Sequence, residues 1–146
     1  MANITAAAVK SLRERTGLPM MDCKKALQEV GGDEDAAVEM LRKAGKQTMD
    51  KRAGRATSSG RIAIHTDIEA GVGAMVELLC ESAPVANHEE FVALAEDLAK
   101  QLATGPGAGT PDELLDQTSP SDTSKKLRDI FDDLNNRIRE VFRLNR

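Results

Sequence analysis

Two histidines, two cysteines and a few adjacent carboxylates are the residues of this chain that could carry covalent or metal chemistry. Their spacing gives none of them that role. His65 and His88 have no Cys, His or carboxylate partner at metal-ligand spacing. Both are read as solvent-exposed, His65 on the polar side of a strand and His88 near a helix start. Cys23 and Cys80 fall in apolar periodic positions far apart in sequence, the pattern of buried free thiols in a reducing compartment. No serine or cysteine stands in a nucleophile motif. The loop Gly105-Pro106-Gly107-Ala108-Gly109 is not a phosphate cradle, because no Lys-Ser/Thr follows and prolines accompany its glycines. Glu89/Glu90 and Asp132/Asp133 sit at helix termini or polar faces, where capping and solubility account for them. No catalytic residue, cofactor or metal is expected.

What remains is contact chemistry, and three stretches offer it. Met20 and Met21 are adjacent at the start of a helix and cannot both face one core. Either one is core and the other incidental, or the pair is an exposed, adaptable apolar patch for a partner. Lys43, Lys46, Lys51, Arg52, Arg55 and Arg61 make residues 43–61 the most basic stretch, relieved only by Asp50. It reads as a solvated helix face fading into the linker ATSSG, with contact to RNA or an acidic surface as the alternative. Residues 81–87 form a proline-stiffened turn between a strand and a long helix, and a loop held between packed elements is a good place for contacts.

Those stretches need elements to hold them. Thr5 is a plausible N-cap, with Ile4 and Val9 at the positions of a hydrophobic staple, and Gly17 supplies a left-handed stop. Pro19 suits the first turn of a second helix, in which Cys23, Ala26, Leu27 and Val30 share a face. Asp33 caps a third, whose buried stripe is Ala37, Met40, Leu41 and Ala44. Ile62, Ile64, Thr66 and Ile68 alternate as a half-buried strand, and residues 74–80 pair back on it as a hairpin. Pro84 stops the second strand near Cys80. Asn87 then caps a helix, with Glu90 completing a capping box and Phe91, Leu94, Ala95, Leu98 and Leu102 on its buried face. Thr110, Pro111 and Glu113 form a second capping box. Thr123 or Ser124 starts a last helix carrying Leu127, Ile130, Phe131, Leu134 and Ile138, and VFRLNR has the alternation of a further strand.

The fold class is therefore α+β: a helical module over residues 1–45, a basic helix fading into a linker over 46–60, and a core of hairpin and helices over 61–146. At 30% charged and 40% hydrophobic residues the composition is that of an ordinary soluble protein rather than a disordered one. A net charge of −4 argues against a general nucleic-acid binder. Phe91, Phe131 and Phe142 are the only aromatic residues, all on apolar faces, so no base-stacking platform is expected. The start MANITAAAVK lacks a signal-peptide core and no later run approaches a membrane span. A cytoplasmic location is expected.

The run RTGLPMMDCKKALQEVGGDEDAAVEMLRKAG, above all Met20-Met21-Asp22-Cys23-Lys24-Lys25-Ala26-Leu27, resembles the amino-terminal module of the elongation factor Ts family. The likeness continues collinearly, more weakly, to Arg146. It implies a ubiquitin-associated-like three-helix module followed by an α+β core subdomain. It also implies a function without catalysis: guanine-nucleotide exchange on elongation factor Tu, met in its GDP-bound and nucleotide-free forms, with no membrane and no specific nucleic acid as partner. Module contacts carry over to Lys10, Arg13, Met20 and Met21. In the family the turn after the strand reads Thr-Asp-Phe, and its Asp and Phe push between partner helices and disturb the magnesium and phosphate site. The matching positions here are Ser82, Ala83 and Pro84, so the charge and the ring are missing. The family normally continues into another core subdomain where this chain stops, as a fragment or a reduced form would. A helix-docking module without exchange activity and an RNA-binding protein working through residues 43–61 are the alternative readings.

Overall fold

The computed structural model describes residues 4–146, so the first three residues of the expected 1–45 module lie outside the described residues. Within them are seven helices and one three-stranded antiparallel sheet, an α+β fold. The chain divides into two compact units, one ending at Lys51 and the other running from Arg52 to Arg146.

In the first unit α1 (Ala6–Thr16) opens with the Thr5 hydroxyl accepting the N–H of Ala8 at 3.2 Å. It closes on Gly17 at φ 68°, a conformation that glycine adopts at no steric cost. Helix α2 (Met20–Glu29) starts directly after Pro19, and α3 (Glu34–Arg52) is capped by the Asp33 carboxylate, which accepts the N–H groups of Asp35 and Ala36 at 3.0 Å each. Val9, Leu12, Leu18, Cys23, Ala26, Leu27 and Ala37 form the core, with Ile4, Val30, Met40 and Leu41 partly buried against it. The α3 stripe is not quite the expected one: Ala44 is exposed and Gly45 buried. Arg15 ties α1 to the start of α3 through Glu34 at 3.2 Å and Asp35 at 2.7 Å. At 11 and 10 residues α1 and α2 are too short to be stable singly, so the shared core is what holds them.

In the second unit β1 (Ser59–Asp67) and β2 (Val72–Cys80) form the hairpin, and β3 (Arg143–Leu144) adds to the far side of β2. The alternation in VFRLNR was thus that of a strand, prolonged by a 2.7 Å bond from the Glu77 N–H to the Arg146 carbonyl. The sheet buries Ala63, Val76, Leu78 and Cys80 beneath α5 (Glu89–Thr104), whose Phe91, Leu94, Ala95, Leu98 and Ala99 complete the layer. Phe142 stands edge-on to Phe91 and Phe131, with ring centroids 5.0 and 5.9 Å away. Helix α6 (Pro111–Leu115) contributes Leu114 and Leu115, and α7 (Leu127–Ile138) contributes Leu127, Phe131 and Leu134.

The strand period of β1 is as the sequence suggests, but its face is inverted. Ile62 is 59% and Ile64 67% exposed, while Ala63 is buried and His65 half-buried. The register explains it: Ala63 pairs with Val76, which sets Ile62 and Ile64 opposite Glu77 and Met75 on the other face. The helix-covered side of β1 thus carries a small residue, and the isoleucines stand outside. His65 is accordingly not solvent-exposed as expected, whereas His88 is. At Gly60 a side chain is impossible for another reason, since a Cβ there would lie 2.4 Å from the Leu78 carbonyl oxygen.

Candidate functional site

Two surfaces carry the residues singled out in the sequence, one in each unit. On the first unit, Lys10 and Arg13 lie three residues apart on the exposed side of α1, while Val9 and Leu12 face the core. Lys10 faces Glu14 at 3.8 Å, an exposed i,i+4 pair of little energetic consequence. The Thr16 hydroxyl donates to the Leu12 carbonyl at 2.8 Å and accepts the Leu18 N–H at 3.3 Å, pinning the chain as it turns past Gly17. Leu18 is drawn into the core and Pro19 is left outside, directly before α2. Met20 is 44% and Met21 60% exposed, whereas Cys23, Ala26 and Leu27 face inward. That excludes the reading in which one of the pair is core. Neither methionine is in the core.

On the second unit, β2 ends at Cys80 and the chain enters α4 (Ala83–Ala86), a single helical turn with Pro84 in its first positions. The expected tight turn is therefore partly helical. Asn87 ends α4 instead of capping α5, whose own cap position is His88, so the Asn87–Glu90 capping box does not form. The Asn87 amide donates to the Ala83 carbonyl at 3.0 Å. Arg61 donates to the Ala86 carbonyl at 3.0 Å and to the Asn87 side-chain oxygen at 3.1 Å. Before α4, the Ser82 N–H and hydroxyl donate to Glu140 at 3.0 and 2.5 Å, and the Cys80 thiol donates to the Ser82 carbonyl at 3.2 Å. Glu81 accepts the Val141 N–H at 2.8 Å and pairs with Arg55 at 3.3 Å. Ala86 is buried as an anchor, Ser82 is half-buried, and Ala83 and Pro84 are exposed. Burial, with the Glu140 charge adding to it, pushes the Cys80 thiol up, so this cysteine is a packed hydrogen-bond donor rather than a nucleophile.

The basic stretch divides between two kinds of residue. Lys43, Lys46 and Lys51 are exposed on α3. Arg55 and Arg61 hold the turn, and Arg52 donates to the Arg139 carbonyl at 2.8 Å. The arginines thus also serve as framework of the second unit, Arg55 while remaining exposed. Sequence reasoning missed Glu81, Glu140, Arg61 and Asn87 as the groups that shape the turn.

No protein-family model matches the chain. Individual proteins do. Elongation factor Ts of Solidesulfovibrio magneticus is 46% identical over 132 residues, 90% of this chain and 64% of that protein. Elongation factor Ts of Oleidesulfovibrio alaskensis is 50% identical over 122 residues, 80% of this chain and 62% of that protein. The chain is a relative of elongation factor Ts. A third member, from Clostridium acetobutylicum, is 43% identical over 143 residues, which takes in 98% of this chain and so both surfaces, but 46% of that protein. The chain therefore spans between 46% and 64% of the length of these three elongation factor Ts relatives. Among the described residues no helix is long and apolar enough to cross a membrane.

Proposed function

We propose that the chain is a translation factor that docks on elongation factor Tu and promotes release of its GDP, acting in the cytoplasm by differential binding and without catalysis. The observation that carries this reading is the joint exposure of Met20 and Met21 within the run most characteristic of elongation factor Ts. Two bare methionines beside a proline-started helix are an adaptable apolar contact. With Lys10 and Arg13 they form the docking surface of a ubiquitin-associated-like module. The second surface is Ser82, Ala83 and Pro84, which enters between partner elements as a small, stiff wedge.

Exchange needs no reacting group. A factor that binds the nucleotide-free partner more tightly than the GDP-bound one must weaken GDP binding by the same factor. Docking through the methionines supplies affinity common to both partner states, and a wedge that fits only the open state supplies the difference. Ala83 offers no charge and Pro84 less apolar area than a phenyl ring, so this wedge acts through its backbone shape more than through its side chains. Release of labelled GDP from elongation factor Tu, with and without the chain, tests the reading. Accelerated release is expected. A complex that forms without acceleration reduces the function to docking, and retention of RNA at moderate salt in place of complex formation overturns it.

A further inference from the structure

We infer that Glu140 is a positioning residue for the wedge, an inference that rests on the exchange reading above. Ser82 is the residue at which the chain leaves the extended geometry of β2, at φ −129° and ψ 151°, and enters α4. All three of its hydrogen-bonding groups are held. The N–H goes to one Glu140 carboxylate oxygen at 3.0 Å, the hydroxyl to the other at 2.5 Å, and the carbonyl accepts from the Cys80 thiol at 3.2 Å. Both oxygens of one carboxylate thus converge on one residue, and fixing Ser82 fixes the direction in which Ala83 and Pro84 project.

The grip is reciprocal. Glu81, the residue before Ser82, accepts the N–H of Val141, the residue after Glu140, at 2.8 Å. Two short segments, 81–82 and 140–141, therefore lock each other. The second of them is held in turn. Val141 and Phe142 are buried, and Arg139, which ends α7, adopts φ 64° without being a glycine. A residue kept in that sparsely populated region persists only where its surroundings over-determine it. Its N–H goes to the Asn135 carbonyl at 2.9 Å and its carbonyl accepts from Arg52 at 2.8 Å. The left-handed residue turns the chain sharply off the helix, and the next side chain along is the Glu140 that reaches Ser82. Since Ala83 and Pro84 carry little of their own for a partner to grip, placement is what this wedge has to offer. Glu140 supplies that placement without touching the partner.

The test compares Glu140→Ala and Glu140→Gln with the unaltered chain, by GDP release from elongation factor Tu, affinity for GDP-loaded elongation factor Tu, and amide hydrogen exchange at Ser82. Glu140→Ala should bind the GDP-loaded partner as before, lose about tenfold of the acceleration of release, and exchange the Ser82 amide faster. Glu140→Gln keeps one acceptor oxygen and gains an N–H that can donate to the hydroxyl, so it should recover most of the activity. Should Glu140→Ala melt early, Ser82→Ala deletes the hydroxyl bond alone and should reproduce the effect in weaker form. Release by Glu140→Ala as fast as by the unaltered chain, with Ser82 exchange raised, overturns the inference. So does a Ser82 exchange rate that does not change. If the unaltered chain itself leaves GDP release at its basal rate, it is the exchange reading that falls, and Ser82 exchange still reports whether the carboxylate holds the turn.

Discussion

Under the proposed function, Met20–Met21 and Ala83–Pro84 are opposite solutions to presenting a contact. The methionines offer long, soft side chains over a lightly built helix start, whose own cap position, Pro19, makes no side-chain hydrogen bond. Ala83 and Pro84 offer almost no side chain, on a backbone tied down by Glu140, Cys80, Asn87 and Arg61. Flexible apolar side chains can adapt to a surface that changes shape, and so supply affinity that survives the change. A rigid projection cannot adapt, and so distinguishes one shape from another. A protein that must hold a partner through a change of state, and bias that change, has use for both.

The comparison breaks first if the rigidity of the turn is irrelevant. Phe91 is fully buried under the hairpin and stacks edge-on with Phe142. Phe91→Ala should destabilise the Arg52–Arg146 unit by about 3–5 kcal/mol, as buried aromatic truncations do, with loss of exchange activity on the same denaturant scale. Undiminished GDP release from a destabilised core would mean that the turn need not be held. Next in size are Met20→Ala and Met21→Ala. Each is expected to leave the melting temperature nearly unchanged, since neither side chain is in the core, and to cost about 2 kcal/mol of binding if it anchors, between one and two decades in Kd by titration. Unaltered affinity in both would move the docking surface elsewhere.

Two smaller effects sharpen the contrast. Replacing Ser82-Ala83-Pro84 by Thr-Asp-Phe keeps a hydroxyl for Glu140 and adds a charge and a ring, and should raise the GDP release rate by about fivefold or more. No gain from a folded variant would separate this turn from the wedge role. Lys46→Glu with Lys51→Glu spares the arginines that the core uses. It should slow association by a few-fold at low salt (about 2–5 times) and flatten its salt dependence, with dissociation unchanged; an unchanged association rate removes any steering role. The smallest effect concerns pH. The folded Cys80 thiol holds its proton to higher pH than the unfolded one, because burial disfavours thiolate. The stability this represents is fully present below the ordinary thiol range and is lost as pH rises from there through the raised value. Melting followed from pH 7 upward should show that decline, and Cys80→Ala should remove it.

Much of the framework was legible in the sequence because its signals are local. The Thr5, Asp33 and Thr110 caps form, with Thr110 accepting the Glu113 N–H at 3.2 Å. The second half of the expected box at Thr110 slips by one residue, the Glu113 carboxylate accepting the Gly109 N–H at 2.7 Å. The last helix starts at Leu127 and not at Thr123 or Ser124. Buried Ser119, bonded to Asp97 at 3.0 Å, gathers the N–H groups of Ser121 and Asp122 into a loop first. What failed had a nonlocal cause. Alternation fixes the period of β1 but not which side α5 will cover, and the register with Val76 decides that. Glu140 lies 58 residues from Ser82, so no spacing rule could have joined them.

Gly60 gives the hairpin an index mark. Because any side chain at that point of β1 would collide with the Leu78 carbonyl, the two strands close fully in the register that sets Gly60 against Leu79. A slip by one residue would drive Ser59 or Arg61 into the same backbone, and the ladder would stop short of Cys80. Errors of pairing are thus rejected at the very end of the strand from which the turn springs, before α4 has anything to build on. The register at the base of the turn is thus marked by a residue whose contribution is to have no side chain at all.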